Sequence, residues 1–139
     1  MWNNIKTNED ISELMECFGE FKRSCICEIK YRSGAYVGSV SEHFLNDDMS
    51  LSVIFQRRSL GFVQTFELLF RDLKTIRLAP LEKGMECYLT AASIKAENGN
   101  IVFSNWEDYD MINADAGILL ISAGALMWRD ISEQISITA

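Results

Sequence analysis

Apolar and polar residues recur along this chain with two spacings, first that of a helix and then that of strands. In residues 8–18 the apolar positions lie three or four apart, with acidic residues on the opposite face. This spacing predicts one short amphipathic helix. Thr7 or Asn8 can cap its start, Glu9 and Asp10 suit its first turn, and Gly19 can end it.

After residue 24 the spacing changes to strict alternation, which is typical of a strand with one solvated face. Residues 25–32 form the first such strand, with Cys25 and Cys27 on its apolar face. A turn at Ser33 and Gly34 predicts that residues 35–40 return as its hairpin partner. The polar residues 41–48 are then expected to form a loop.

Two further hairpins follow. The first has Leu51, Val53 and Phe55 on one face of its first strand, a loop at 58–61, and the apolar face Phe66, Leu68 and Phe70 on its second strand. A short strand at 73–78 is expected to stop at Pro80, because proline cannot donate to a ladder. The second hairpin pairs 85–96 with 101–106 across Asn98-Gly99, a strong hairpin signal.

The last part of the chain is read as an acidic loop at 107–115, a strand at 118–129 buried on both faces, and a polar tail at 130–139. Periodicity alone leaves a buried helix open for the apolar run. That run, 116–128, has 13 uncharged residues, and a membrane-spanning helix needs about 20.

Eight or so antiparallel strands and one N-terminal amphipathic helix predict a mainly β fold of the α+β class. The arrangement is expected to be an antiparallel sandwich or a curved, partly closed barrel. The sequence lacks the alternation of strands and helices that would indicate a parallel sheet. A length of 139 residues fits one domain covering 1–139.

The charge of the chain limits the classes of partner that it can bind. The net charge is −7, and residues 82–115 contribute −5 of it through seven acids and two lysines. Such a chain repels phosphate backbones and anionic lipid surfaces, so nucleic acid and membrane are not expected as partners. The start of the chain lacks the apolar core of a signal peptide, and four cysteines fit a reduced, cytoplasmic protein.

The sequence offers little for catalysis or for a cofactor. His43 is the only histidine, and its sequence neighbours Ser41 and Glu42 do not form a triad by adjacency. Cys25 and Cys27 share a strand face, but no further ligands complete a metal site, so both are expected to pack in the core. The acidic loop lacks the spacing of a calcium-binding EF-hand loop. No nucleotide, zinc-protease or hydrolase motif occurs, so we expect no enzyme, metal or cofactor.

The acidic loop combines carboxylates with aromatic rings, as protein interfaces do. We therefore expect a partner-binding surface there, and an ordinary solvated loop is the alternative. Its residues are Trp106, Glu107, Asp108, Tyr109, Asp110 and Asp115. The only locally basic stretch, 57–77, either meets an acidic patch of a second copy or keeps edge strands apart.

The segments TFELLFRDLKTIRL (65–78) and ISAGALMWRD (121–130) resemble small bacterial β proteins, some of which are immunity proteins of toxin systems. The resemblance implies a non-enzymatic protein that neutralises a toxin, often a basic nuclease in such systems, through an acidic surface. Two alternatives stay open. One is a self-associating structural domain. The other is a ligand-binding or enzymatic domain with a site inside the curved sheet, lined by Tyr31, Phe55, Tyr88 and Phe103.

Overall fold

Nine strands and one α-helix form the regular structure of the residues that the computed structural model describes, which are 1–40, 42–45, 49–79, 88–89, 92–105 and 118–132. A single turn of 3₁₀ helix, Gly19–Phe21, follows the α-helix. In chain order the elements are β1 (Asn3–Ile5), α1 (Asn8–Cys17), β2 (Cys25–Arg32), β3 (Ala35–Val37), β4 (His43–Leu45), β5 (Ser50–Ser59), β6 (Phe62–Ala79), β7 (Ser93–Glu97), β8 (Asn100–Ser104) and β9 (Ile118–Asp130).

Seven of these strands form one antiparallel sheet in the order β2-β5-β6-β9-β8-β7, with β1 also paired to β9. The other two, β3 and β4, pair only with each other within the described part of the chain. The predicted fold class, mainly β with one N-terminal helix, is confirmed. The seven-stranded sheet is not closed into a barrel.

The sheet curves strongly around one face. The rings of Phe55 on β5 and Phe103 on β8 lie 5.9 Å apart, although two strands separate β5 from β8 in the sheet. A flat sheet would hold them about 14 Å apart at the usual strand spacing. Curvature therefore brings distant strands together around a shared concave core.

The bend occurs where β6 and β9 face each other at Asp72 and Gly124. Asp72 has a φ of +53°, and the register of the two strands shifts between Leu73 and Thr75. Such a bulge bends a strand and increases its twist. The separate strand expected at 73–78 is therefore wrong, because β6 runs through the bulge as one continuous strand.

Aromatic rings fill the concave face. Phe18, just after α1, stacks on Phe66 with ring centroids 3.7 Å apart, and Phe21 meets Phe55 edge to face at 5.2 Å. Leu14 of α1 is fully buried beside them. The fully buried phenylalanines are Phe18, Phe21, Phe55, Phe66, Phe70 and Phe103.

This packing separates the four residues that the sequence suggested for a ligand cavity. Phe55 and Phe103 are fully buried in the core, whereas Tyr31 is 54% and Tyr88 39% exposed. Phe55 and Phe103 are therefore part of the core, and a role of Tyr31 and Tyr88 in binding a ligand stays a prediction.

The helix is confirmed at its predicted place. Thr7 caps it, with its hydroxyl accepting from the Asp10 N–H, and the Asp10 carboxylate accepting from the N–H groups of Lys6 and Thr7. This capping box satisfies backbone donors that the first turn leaves unpaired. The backbone bonds from Lys6 and Thr7 lower the pKa of Asp10.

The hairpins β5–β6 and β7–β8 are confirmed. Leu51, Val53 and Phe55 pair with Phe70, Leu68 and Phe66, and Asn98 and Gly99 take positive φ in the predicted turn. The strand at 118–129 is confirmed as β9. It has one face in the core and one half-buried face, so burial on both faces is wrong.

The first predicted hairpin is wrong. β2 pairs with β5, and residues 35–37 pair instead with His43–Leu45, part of the expected loop. A register shift between Ile26 and Glu28 makes β2 bulge at Cys27. Because of this bulge Cys27 is exposed beside Gln56, Cys25 is half-buried, and the expected core packing of both cysteines is wrong.

No helix in the described ranges is long and apolar enough to cross a membrane.

Candidate binding surface

The residues predicted to bind a partner all lie outside the described residues. They are Trp106, Glu107, Asp108, Tyr109, Asp110 and Asp115. The structure shows how the chain leaves and rejoins the sheet around them. The Asn105 N–H donates to the Leu119 carbonyl at 3.2 Å, and the Leu119 N–H donates to the Asn105 side chain at 3.0 Å. The ends of this segment are therefore fixed side by side, and its binding role stays a prediction.

A second surface is built by an insertion between β2 and β5. Arg32 and Ser50 are paired across these two strands, so the described residues 33–40 and 42–45 extend beyond a ladder that is already closed, whereas Met49 is held at the sheet by a hydrogen bond from the Leu73 N–H to its carbonyl. We call residues 33–45 the arm; Ser41 within it and residues 46–48 after it lie outside the described residues. β3 and β4 run along the arm as a two-stranded ribbon.

Glycines explain how the arm is shaped. Gly34 has a φ of +77°, which turns the chain out of β2. The Gly38 N–H donates to the Glu42 carbonyl at 2.7 Å and closes the ribbon. A Cβ on Gly38 would lie 2.7 Å from a ring atom of Phe44, so this glycine leaves room for the ring.

The arm exposes a pair of stacked aromatic rings. Tyr36 and Phe44 face each other across the ribbon with centroids 5.0 Å apart and planes 20° apart. Their side chains remain 51% and 41% exposed, and Val37 and Val40 are 64% and 71% exposed. Exposed apolar groups that lie side by side, as the two stacked rings do, mark interaction sites in soluble proteins.

The arm also carries an exposed carboxylate, Glu42, and residues 33–45 contain no lysine or arginine, although Arg32 directly precedes them. Asp47 and Asp48 follow in the sequence, outside the described residues. The arm thus combines a carboxylate with aromatic rings, the combination that the sequence predicts for the loop at 106–115. Sequence reasoning missed it because residues 35–40 looked like a strand of the main sheet. The signal in the sequence that could have revealed the arm is the pair of glycines, Gly34 and Gly38, on either side of the apolar residues Tyr36 and Val37.

A third exposed apolar feature is the turn between β5 and β6. We call residues 57–63 the tip. Leu60 is 99% exposed and has a φ of +46°, and Phe62 and Val63 are 54% and 37% exposed. Arg58 is exposed, while Arg57 donates to the Gln64 side chain at 3.2 Å. The tip and the arm lie at opposite ends of β5.

The remaining polar clusters hold the scaffold together. On the face of β6 opposite to the core, Glu67 accepts from Arg129 at 2.8 and 2.9 Å and from Ser52 at 2.5 Å. The Trp2 ring lies 4.3 Å from the Arg129 guanidinium carbon. Both oxygens of Glu67 are satisfied, so this cluster ties β5, β6 and β9 together and leaves no reactive group.

The end of β9 is fixed by a similar cluster. Burial raises the pKa of Asp130, but hydrogen bonds from the Ser132 hydroxyl and N–H and from Gln64 outweigh it, so the pKa lies below its usual range. Burial raises the pKa of the Cys17 thiol, and Glu13, Glu16 and Asp130 add to this. Cys17 is therefore a poor nucleophile near neutral pH.

His43 is exposed on β4 of the arm. Within the described segments, no three His, Cys, Asp or Glu residues are grouped as metal ligands would be.

No protein-family model, curated protein or solved structure matches the chain. The case for a function therefore depends on the exposed residues themselves.

Proposed function

We propose that the chain is a non-enzymatic, cytoplasmic binding protein that contacts a basic protein partner through the arm. Its most concrete form is an immunity protein that neutralises a toxin. The observation that carries the proposal is the exposed Tyr36–Phe44 stack on a ribbon separate from the main sheet.

The two rings can supply much of the binding energy. Each is about half exposed. Burying the remaining area of an aromatic side chain contributes about 2 kcal/mol per ring at about 25 cal/mol per Å². Because the rings already stack on each other, little side-chain freedom is lost when a partner covers them.

Charge sets the kind of partner. Glu42 is exposed on the arm, Asp47 and Asp48 follow it in the sequence, and the net charge of −7 attracts a basic surface from a distance. Charges of this kind raise the association rate, whereas the buried rings slow dissociation. The predicted residues 106–115 add further carboxylates and rings to the proposal, as a second acidic contact.

The test compares three variants with the wild type on one partner. The partner is captured from lysate of the source cells, identified by mass spectrometry and purified. The arm variant carries Tyr36→Ser and Phe44→Ser, and the loop variant carries Asp108→Lys and Asp110→Lys. Leu78→Ser is the control, because Leu78 is 53% exposed on β6 and lies outside the arm.

We expect the arm variant to bind about 30-fold to 1,000-fold more weakly, which corresponds to losing one or both rings, with the control unchanged. Equal affinity of the arm variant and the wild type would contradict the proposed surface. A loss confined to the loop variant would instead place the contact at 106–115. For the immunity hypothesis, the partner should be toxic when expressed alone and harmless when co-expressed with the wild type.

A further inference from the structure

We infer that the arm enters a cleft of the basic protein partner, so that both faces of the ribbon are covered, and that it does not lie flat on the partner with one face alone. This inference rests on the proposed function, in which the arm is the binding surface, and it adds the shape of the partner's site.

The ribbon stands clear of the main sheet. It follows the last pair of the β2–β5 ladder, Arg32 and Ser50, and within the described residues β3 and β4 pair only with each other. Three residue pairs join the two strands, which gives a ribbon about 10 Å long at the usual rise per residue. A projection of this size fits a cleft in a second protein.

The two faces of the ribbon carry different side chains. Residues opposite each other in an antiparallel pair point to the same face, and successive pairs alternate between faces. Tyr36 and Phe44 form one pair, and Val37 and His43 form the next. The stacked rings therefore lie on one face, which we call the front, and Val37 and His43 lie on the other, which we call the back.

The back is as open as the front. Val37 is 64% exposed, more than either ring on the front, and Ala35 and His43 are exposed beside it. Val40, near the end of the ribbon, is 71% exposed. A partner that covered only the front would leave these valines in water, whereas a cleft buries them and gains the hydrophobic contribution of their side chains.

The small size of the arm favours the same conclusion. A standard protein interface uses about 20–30 residues on each side. The described arm has eight residues at 33–40 and four at 42–45, or 12 in all, and about half of them point to any one face. Covering both faces roughly doubles the area that the same residues bury.

Charge identifies the kind of cleft. Glu42 is exposed on the arm, residues 33–45 contain no lysine or arginine, and the net charge of the chain is −7. A cleft lined by charges of one sign between walls of low dielectric constant focuses its field. A basic cleft therefore attracts an acidic arm more strongly than a flat basic surface does.

The test uses the basic partner purified as described above. Two back variants are made: Val37→Ser removes an apolar contact, and Val37→Trp adds bulk that a cleft wall would meet. Val63→Ser and Val63→Trp are the matched controls, because Val63 is a strand valine of the tip and is 37% exposed. The arm variant, Tyr36→Ser with Phe44→Ser, reports on the front. The thermal midpoint of each variant is measured first, to show that it is folded.

We expect both Val37 variants to bind the partner about 10-fold or more weakly, the loss that follows when most of an apolar side chain is no longer buried or no longer fits. Both Val63 variants should bind like the wild type. The arm variant should lose affinity as well, because the front is covered in the same complex.

Val37 variants that bind like the wild type, with a loss in the arm variant alone, would show that the partner covers only the front. That result would overturn the inference and leave the proposed function intact. Equal affinity of the wild type and all variants, or a wild type that binds no basic protein, would overturn both.

Discussion

Replacing Gly124 with alanine tests the bend that shapes the sheet. The Asp72 carboxylate lies directly over Gly124, and a Cβ built there would lie 2.9 Å from Asp72 Cγ and 3.0 Å from its Cβ. The φ of Gly124 is not in the positive range, so the backbone itself would accept alanine. The expected penalty therefore comes from Asp72, whose own backbone is fixed by the bulge.

The size of the effect follows from two opposing terms. Overpacking of this kind costs about 1–3 kcal/mol, and replacing glycine stabilises by about 0.4–1 kcal/mol through the unfolded chain. We expect Gly124→Ala to lower the free energy of unfolding by about 1–2 kcal/mol. In urea denaturation followed by circular dichroism, the midpoint should fall by about 0.5–1 M.

Asp72→Gly supplies the matched control. It removes the obstructing side chain, its φ of +53° suits glycine, and the Lys74 ion pair that it loses is exposed at the surface and worth about 0–1 kcal/mol. In this background Gly124→Ala should be neutral or slightly stabilising, giving a coupling of about 1–3 kcal/mol in a double-mutant cycle. Equal losses in both backgrounds, or no loss in either, would refute the assigned contact.

Two further predictions concern titratable groups. The pKa of Asp130 is lower in the folded protein than in the unfolded chain, where it is about 3.9. The hydrogen-bonded carboxylate therefore stabilises the fold above about pH 3.9, and this stabilisation is lost as the pH falls through the folded-state pKa. The difference in free energy of unfolding between the wild type and Ser132→Ala should therefore become smaller below about pH 4. Urea denaturation at a series of pH values measures it, and a difference that does not change with pH would contradict the prediction. The raised pKa of Cys17 predicts slower alkylation in the folded than in the unfolded protein near pH 8, measured by peptide mass spectrometry; an equal or faster rate would contradict it.

The parts of the fold that were predicted correctly depend on local signals. The β7–β8 hairpin is marked by Asn98-Gly99, and the β5–β6 hairpin by two runs of alternating residues close in sequence. α1 is defined by its capping residues and a single apolar face. In each case the residues that determine the element lie within it or beside it.

The parts that were missed depend on distant partners. β1 has three residues, Asn3–Ile5, and forms only because β9 offers an edge to it. β2 carries a turn signal at Ser33 and Gly34, yet it pairs with β5 across the whole arm. Ser33 and Gly34 do turn the chain, but the turn leads into the arm and not into a partner strand for β2.

The candidate site was predictable only in its chemistry. The combination of acids and aromatic rings was expected, but at 106–115, and the arm shows the same combination at another place. The sequence around Leu60 does not predict the positive φ of this residue, because leucine is uncommon in that region of φ. Its exposure and backbone conformation become apparent only in three dimensions.

The pairing of β9 also has a consequence for the order in which the protein can fold. β9 contacts β1, β6 and β8, yet it comes last among these strands in the chain. During synthesis β1 therefore has no partner strand, and the β2-β5-β6 part of the sheet stays separate from the β7–β8 hairpin, until residues 118–130 have left the ribosome. Long-range pairing of this kind slows folding, and β proteins rich in it fold in about milliseconds to seconds. Until then the apolar faces of β5 and β6 are open to association with other chains, so the nascent protein depends on its last strand for protection from aggregation.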